Sequence, residues 1–246
     1  MELHVFATGS TGNCYVLKDK NGKMLMLDCG VPMQAVYRAV DFKSTALDAC
    51  LVSHHHSDHL KAAKDMLRAY MPVYMTGLTA ELGQIDRHSP TLHICREDDQ
   101  LKIGNWRVLP FDTYHDAPGS VGFLIRHTEE DVTVAYVTDT GFIKYVFPNL
   151  NVLLVECNYI DDIIDEHKGD IGERFMRLKE THMSLHRLQS YLSKVDKSQL
   201  RHIVLLHMSD NNSDAERMQT EIHALTGAEV HIADAGLQIN LDECPF

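Results

Sequence analysis

The chain has 246 residues, and its 35 acidic side chains outnumber its 23 lysines and arginines for a formal net charge of −12. That length can bury one substantial core, while the acidic balance excludes a surface built on the basic stripe that wraps nucleic acid. Any phosphate must then be held by bound divalent cations or a local basic patch.

Residues Met1 to Thr8 lack a basic start and an apolar run, and no stretch approaches bilayer-spanning length. A soluble, cytoplasmic protein without a membrane partner is expected. Cys14, Cys29, Cys50, Cys95, Cys157 and Cys244 are dispersed with no CxxC pair, which reads as reduced thiols, mostly in the core. No linker, low-complexity tract or solenoid-length repeat interrupts residues 1–246, so one domain is expected. The oligomeric state is not legible.

In chain order, short β-rich runs alternate with helical segments. Met24 to Leu27 runs into Asp28, with a helix expected at Pro32. Ala49 to Ser53 runs into His54, and a helix is expected over Leu60 to Tyr70. Arg107 to Tyr114 runs into His115, and Val132 to Thr138 delivers Asp139. The Ser184 to Leu192 stretch has Leu185, Leu188 and Leu192 at helical spacing. Ile203 to Leu206 delivers His207, and a last helix is expected from Ser213, with Glu216 completing a capping box and Gly227 ending it. The inferred class is α/β, helices outside two packed sheets. Five runs end on a side chain that can ligate a metal, and strand ends in layered α/β proteins converge on one rim.

The densest signal is Ser53-His54-His55-His56-Ser57-Asp58-His59. In a tight loop His54 and His56 can face one way and Asp58 and His59 another, enough to begin two neighbouring sites. Imidazole and carboxylate are the donors that hold a catalytic zinc with a position open for water. Each residue has a plainer competitor. The loop reads also as a solvated His-rich segment, His115 and Asp139 as turn residues, His207 as a satisfied core histidine, and Asp28 as part of a turn before the Pro32 helix. His55 and the remaining histidines carry no case beyond surface or core placement.

The HxHxDH pattern after an apolar strand resembles the metallo-β-lactamase superfamily, whose remaining metal motifs match His115, Asp139 and His207 in order and approximate spacing. The resemblance implies a four-layer αββα fold with two mixed sheets. It also implies two divalent ions, zinc or manganese with iron also compatible: one on His54, His56 and His115, one on Asp58, His59 and His207, and Asp139 bridging. Asp28 matches the acidic residue that orients ligands from beneath the cluster.

Several segments resemble the YycJ-type (WalJ) branch: Thr8-Gly9-Ser10-Thr11-Gly12-Asn13-Cys14, Leu27-Asp28-Cys29-Gly30, Tyr114-His115-Asp116-Ala117 with Val121-Gly122-Phe123, Val155-Glu156-Cys157-Asn158-Tyr159, and Thr181-His182-Met183-Ser184. The resemblance runs from Ser10 to about His207. It implies a 5′ exonuclease acting on DNA, or a phosphodiesterase of a small substrate, working by attack of a metal-bridging hydroxide. His182 is similar to the catalytic histidine region of RNase Z and PhnP-like enzymes, although Thr181 replaces the usual glycine. Asp58 and His182 are therefore the candidate catalytic residues, with His182 serving the leaving oxygen. The helix after His182 offers an N-terminus to phosphate, with Arg174, Arg177, Lys179 and Arg187 near in sequence, although a solvated face explains these cations equally. Ser10 and Asn13 are candidates for substrate proximity, against a plain connecting turn.

Rival readings are a thioesterase of the glyoxalase II kind, which shares the ligands but usually carries a helical extension, a β-lactamase, and a metal-binding interaction protein without turnover.

Overall fold

The computed structural model describes residues 1–166 and 172–242. Its first sheet takes β1 (Glu2–Ala7), β2 (Cys14–Lys18), β3 (Met24–Leu27), β4 (Leu47–Leu51), β5 (Val73–Thr76) and β6 (Leu92–Cys95). The second takes β7 (Leu101–Ile103), β8 (Trp106–Asp112), β9 (Val121–His127), β10 (Val132–Val137), β11 (Val152–Glu156), β12 (His202–Leu206) and β13 (Glu229–Ile232). The last strand, β14 (Gln238–Asn240), returns to the first sheet, whose order is β14-β1-β2-β3-β4-β5-β6; the second is ordered β13-β12-β11-β10-β9-β8-β7. Both are mixed, since β3 to β6 and β10 to β13 pair parallel and the rest antiparallel.

The period-2 alternation of strands explains the layering. Leu25, Leu27, Ala49 and Leu51 meet Val134, Tyr136, Leu154 and Val204 between the sheets. Met26, Cys50 and Val52 point the other way, into a cluster with residues of α1 (Met33–Ala39), α2 (Ser57–Leu60), α3 (Ala63–Arg68) and α4 (Gly77–Leu82). The second sheet likewise turns Val137, Leu153, Val155 and Ile203 outward. They meet α7 (Leu185–Leu192) and α8 (Ala215–Thr226), while α5 (Asp161–Glu166) and α6 (Glu173–Thr181) precede these in the chain. Strands covered on both faces read as unbroken apolar runs, and Val132–Val137 is buried at every position. The four layers match the expected architecture.

Local departures have identifiable causes. The helix expected over Leu60 to Tyr70 is two, broken at Lys61 and Ala62. The Asp58 carbonyl, which would accept from Ala62, accepts instead from Asn13 N at 2.7 Å, and Ala62 N donates to Cys29 O at 2.9 Å. The last helix is capped by Asp214, which accepts from Arg217 N at 3.0 Å, while Ser213 Oγ donates to Ser209 O. Gly227 ends it in the left-handed conformation, φ 72°. The strand read through Tyr114 stops at Asp112, leaving His115 on a loop. Arg174's side chain and Cys244 lie outside the described residues. No helix among the described residues is long and apolar enough to cross a membrane.

Candidate functional site

Two adjoining segments brace the HxHxDH loop. Cys29 N donates to His59 O at 2.8 Å, and Gly30 N to Asn13 O at 2.9 Å. A Cβ on Gly30 would lie 1.6 Å from the Asp58 carbonyl oxygen, so only glycine allows this approach. The chain then turns sharply at the ends of β3 and β12, where Asp28 and His207 adopt φ of 56° and 51°, backbone strain concentrated beside the site.

The candidate ligands come together with their inner nitrogens facing one another, and in His54, His59, His115 and His207 the outer nitrogen is held. His54 Nδ1 donates to Ser53 Oγ at 3.0 Å, His59 Nδ1 to Asp28 Oδ2 at 2.7 Å, and His115 Nδ1 to Thr181 O at 3.1 Å. His207 Nδ1 lies 3.4 Å from Glu156 Oε1. His54 Nε2 and His56 Nδ1 are 3.1 Å apart, and His56 Nδ1 and His115 Nε2 3.4 Å. Asp139 is buried at the centre, its oxygens 3.5 Å from His59 Nε2, 3.8 Å from His115 Nε2 and 3.9 Å from His207 Nε2. Asp58 Oδ2 is 3.5 Å from His59 Nε2 and 3.6 Å from His207 Nε2. Asp28 lies beneath, fully buried, and accepts from Ser53 N, Ser53 Oγ, His59 Nδ1 and Tyr136 OH at 2.6–2.8 Å.

This donor set fits divalent cations. His207 Nε2 is buried with no hydrogen-bond partner among the described residues, and converging lone pairs gain nothing from one another without a positive centre. Burial opposes ionisation of Asp139 and Asp58, yet the surrounding imidazoles hold both carboxyls well below their usual range. Burial works to lower His59, but Asp139 and Asp28 push it up to about 10, and His207 is raised by the same kind of neighbours. His54 and His56 are lowered, first by burial and then by nearby imidazoles, so their lone pairs are available. The pocket thus collects positive charge, as protons or as metal.

The cluster floors a cavity of about 980 Å³ whose walls include Thr8, Ser10, Thr11, Asn158, Arg177, His182, Ser209 and Asn212. Ser10 lines it. Asn13 does not: it is fully buried, its Nδ2 donating to Gly9 O at 3.1 Å and lying 3.1 Å from His59 Nε2. Arg177 is tied to Asp116 at 2.6 Å; Lys179 bonds to Asp165, and Arg187 to the carbonyls of Gly141 and Lys179. Thr181, where glycine was expected, keeps a helical place at the end of α6 and turns its carbonyl to His115.

His182 faces the same cavity. Its Nδ1 meets Glu156 Oε1 at 2.5 Å, and its ring stacks over His207 at a centroid distance of 5.8 Å. Burial would lower the imidazole, but the Glu156 carboxylate and Asp139 raise it. Glu156 is itself fully buried, its Oε2 accepting from Thr140 N at 3.0 Å and Met183 N at 3.1 Å. Sequence reasoning noticed Glu156 within a pattern but assigned it no role. The signal was its position at the end of the apolar run Val152 to Val155, the same feature that exposed Asp28 and Asp139.

An exodeoxyribonuclease YycJ of Bacillus anthracis is 28% identical over 229 residues, covering 86% of this chain and 85% of that one. An exodeoxyribonuclease WalJ of Streptococcus pneumoniae is 27% identical over 195 residues, 73% and 69% of the two chains. Among solved structures, the metallo-β-lactamase fold protein YhfI of Bacillus subtilis superposes with a TM-score of 0.75 at 19% identity, covering 97% of this chain and 98% of its own. The model of the beta-lactamase superfamily domain matches residues 25–208, from the start of the Asp28 strand to just past His207, and the chain belongs to that superfamily.

Proposed function

We propose that the chain is a metal-dependent phosphodiesterase that degrades DNA as a 5′ exonuclease. The observation that carries this reading is His182, held by Glu156 beside the Asp139 cluster and lining the same cavity, where a leaving oxygen would need a proton. The similarity to YycJ and WalJ supports it.

His54, His56 and His115 would hold one divalent ion, Asp58, His59 and His207 the other, with Asp139 shared. Such ions, when bound, acidify the attacking water and neutralise charge on the phosphoryl oxygens. The N and O donors suit zinc or manganese. The protein's own contribution is orientation and proton control. Asp28 keeps the His59 proton on Nδ1, so that Nε2 faces the centre. Glu156 holds the His182 Nδ1 proton and stabilises the imidazolium, leaving Nε2 to protonate the departing oxygen. Ser10, Thr11 and Ser209 line the cavity wall, where their hydroxyls would meet the non-bridging oxygens of a phosphate. With a net charge of −12 and Arg177 already paired, engagement should be local and its salt dependence shallow.

The test is turnover of end-labelled DNA, RNA, bis-p-nitrophenyl phosphate and S-lactoylglutathione, each with zinc or manganese added. Stepwise release from a 5′ DNA label is expected. Robust thioester turnover without phosphodiester cleavage would overturn the reading.

A further inference from the structure

A second group of ligand-type side chains lies at the far end of the second sheet. His202 opens β12, and its register partner on β13 is Glu229; His231 follows two residues later, opposite Val204. Because side chains alternate along a strand, His202, Glu229 and His231 share one face of the sheet, the face that Val204 turns toward the core between the sheets. His202 is 1% exposed, while Glu229 reaches toward solvent. The distance from the catalytic cluster follows from β12 itself. His207 is five residues beyond His202, so at a rise of about 3.3 Å per residue the trio sits roughly 16 Å from it.

The spacing of the donor atoms is the telling feature. His202 Nδ1 and His231 Nε2 are 3.3 Å apart, the first 3.6 Å from Glu229 Oε2 and the second 3.6 Å from Glu229 Oε1. Two ligands on a tetrahedral zinc, with bonds of about 2.0–2.1 Å, are separated by about 3.3–3.4 Å. The two nitrogens therefore have the spacing of one edge of such a tetrahedron, and the Glu229 carboxylate reaches each of them with a different oxygen, all within the 4.8 Å over which one ion can gather its ligands. The nitrogens of His54, His56 and His115 stand 3.1 and 3.4 Å apart, an equivalent spacing within the same protein.

We propose that His202, His231 and Glu229 form a separate binding site for one zinc-class divalent ion, with a fourth position open to water. Two imidazoles and one carboxylate favour a borderline cation over calcium or magnesium, which take oxygen donors. The ion would clip β13, the edge strand, to β12 and so act on the stability of that edge. The proposal does not rest on the phosphodiesterase reading, because none of the three residues touches the cavity.

The experiment measures zinc per chain after equilibration and gel filtration, for the wild type and for a Glu229→Gln/His231→Gln double variant. These are the two less buried members of the trio. The variant is expected to hold one ion fewer and to keep the wild-type turnover. Equal ion content in the two proteins overturns the proposal. Should the variant fail to fold, amide exchange in the wild-type protein decides. Slower exchange at Val230 to Ile232 with added zinc is expected, and exchange indifferent to zinc overturns the site.

Discussion

Replacing Asp28 with Asn is a clean test of how the site is held together, because asparagine tolerates the left-handed backbone that Asp28 adopts, φ 56°. Backbone strain is nearly unchanged and only the acceptor chemistry differs. Oδ2 accepts from Ser53 Oγ, His59 Nδ1 and Tyr136 OH, and Oδ1 from Ser53 N. An amide oriented to keep the three-donor oxygen turns its NH2 toward the Ser53 N–H, leaving a buried donor unpaired at about 1–3 kcal/mol. The other three bonds lose their charge assistance, while the cost of burying a carboxylate disappears, so a net loss of about 2–4 kcal/mol is expected. For a chain of this size that lowers the melting temperature by roughly 5–15 °C. His59 would also lose the carboxylate that fixes its tautomer, weakening its ion by about 10- to 100-fold. Thermal denaturation of the metal-free protein and zinc titration of the folded variant measure the two effects separately. A variant melting within about 2 °C of wild type, with unchanged zinc affinity, would refute the argument that this carboxylate organises the cluster.

Four further outcomes follow from the geometry. His182→Ala should lower turnover on a nucleotide linkage by about 10²- to 10⁴-fold, less on a p-nitrophenyl diester whose leaving group needs little proton, with metal content unchanged. The His182–Glu156 pair also sets a pH window: Glu156 is depressed despite burial, so its contribution fades as pH falls through that lowered value, and the raised His182 loses its contribution as pH rises through its own. The wild-type rate should therefore decline on the alkaline side in a limb that His182→Ala lacks. Asp139→Ala should remove at least one ion per chain by elemental analysis, since its oxygens face ligands from both proposed sets. Gly30→Ala should prevent the Asp58 carbonyl from seating, because 1.6 Å is far inside contact distance, and soluble yield and zinc content should fall together.

The sequence displays strand ends well and cross-chain bracing poorly. Strands buried on both faces stand out as apolar runs, and a polar residue at the end of one is conspicuous, so His54, His115, Asp139 and His207 could be picked out and the layered fold inferred. A helix continuous through Leu60 was also a reasonable inference from periodicity. What interrupts it is an acceptor already used, the Asp58 carbonyl, by a residue 45 positions earlier. Asn13 was visible as a candidate but its contacts were not, for the same reason: its place in a Gly-rich loop suggested a position beside substrate, whereas its amide meets Gly9, Asp58 and His59.

Glu156 shows the same limit from the other side. Its residue type and strand-end position were visible, but its role depends on Thr140, His182, Met183 and His207, which come from three separate connections. A buried carboxylate with four nitrogens around it fixes the relative position of the Asp139 turn, the His182 turn and the end of β12. Loss of that charge would therefore disturb the candidate proton donor and a candidate metal ligand together. Such coupling explains why a candidate proton donor can sit on a turn between two helices and still be aimed: the carboxylate that raises its proton affinity also lies against His207.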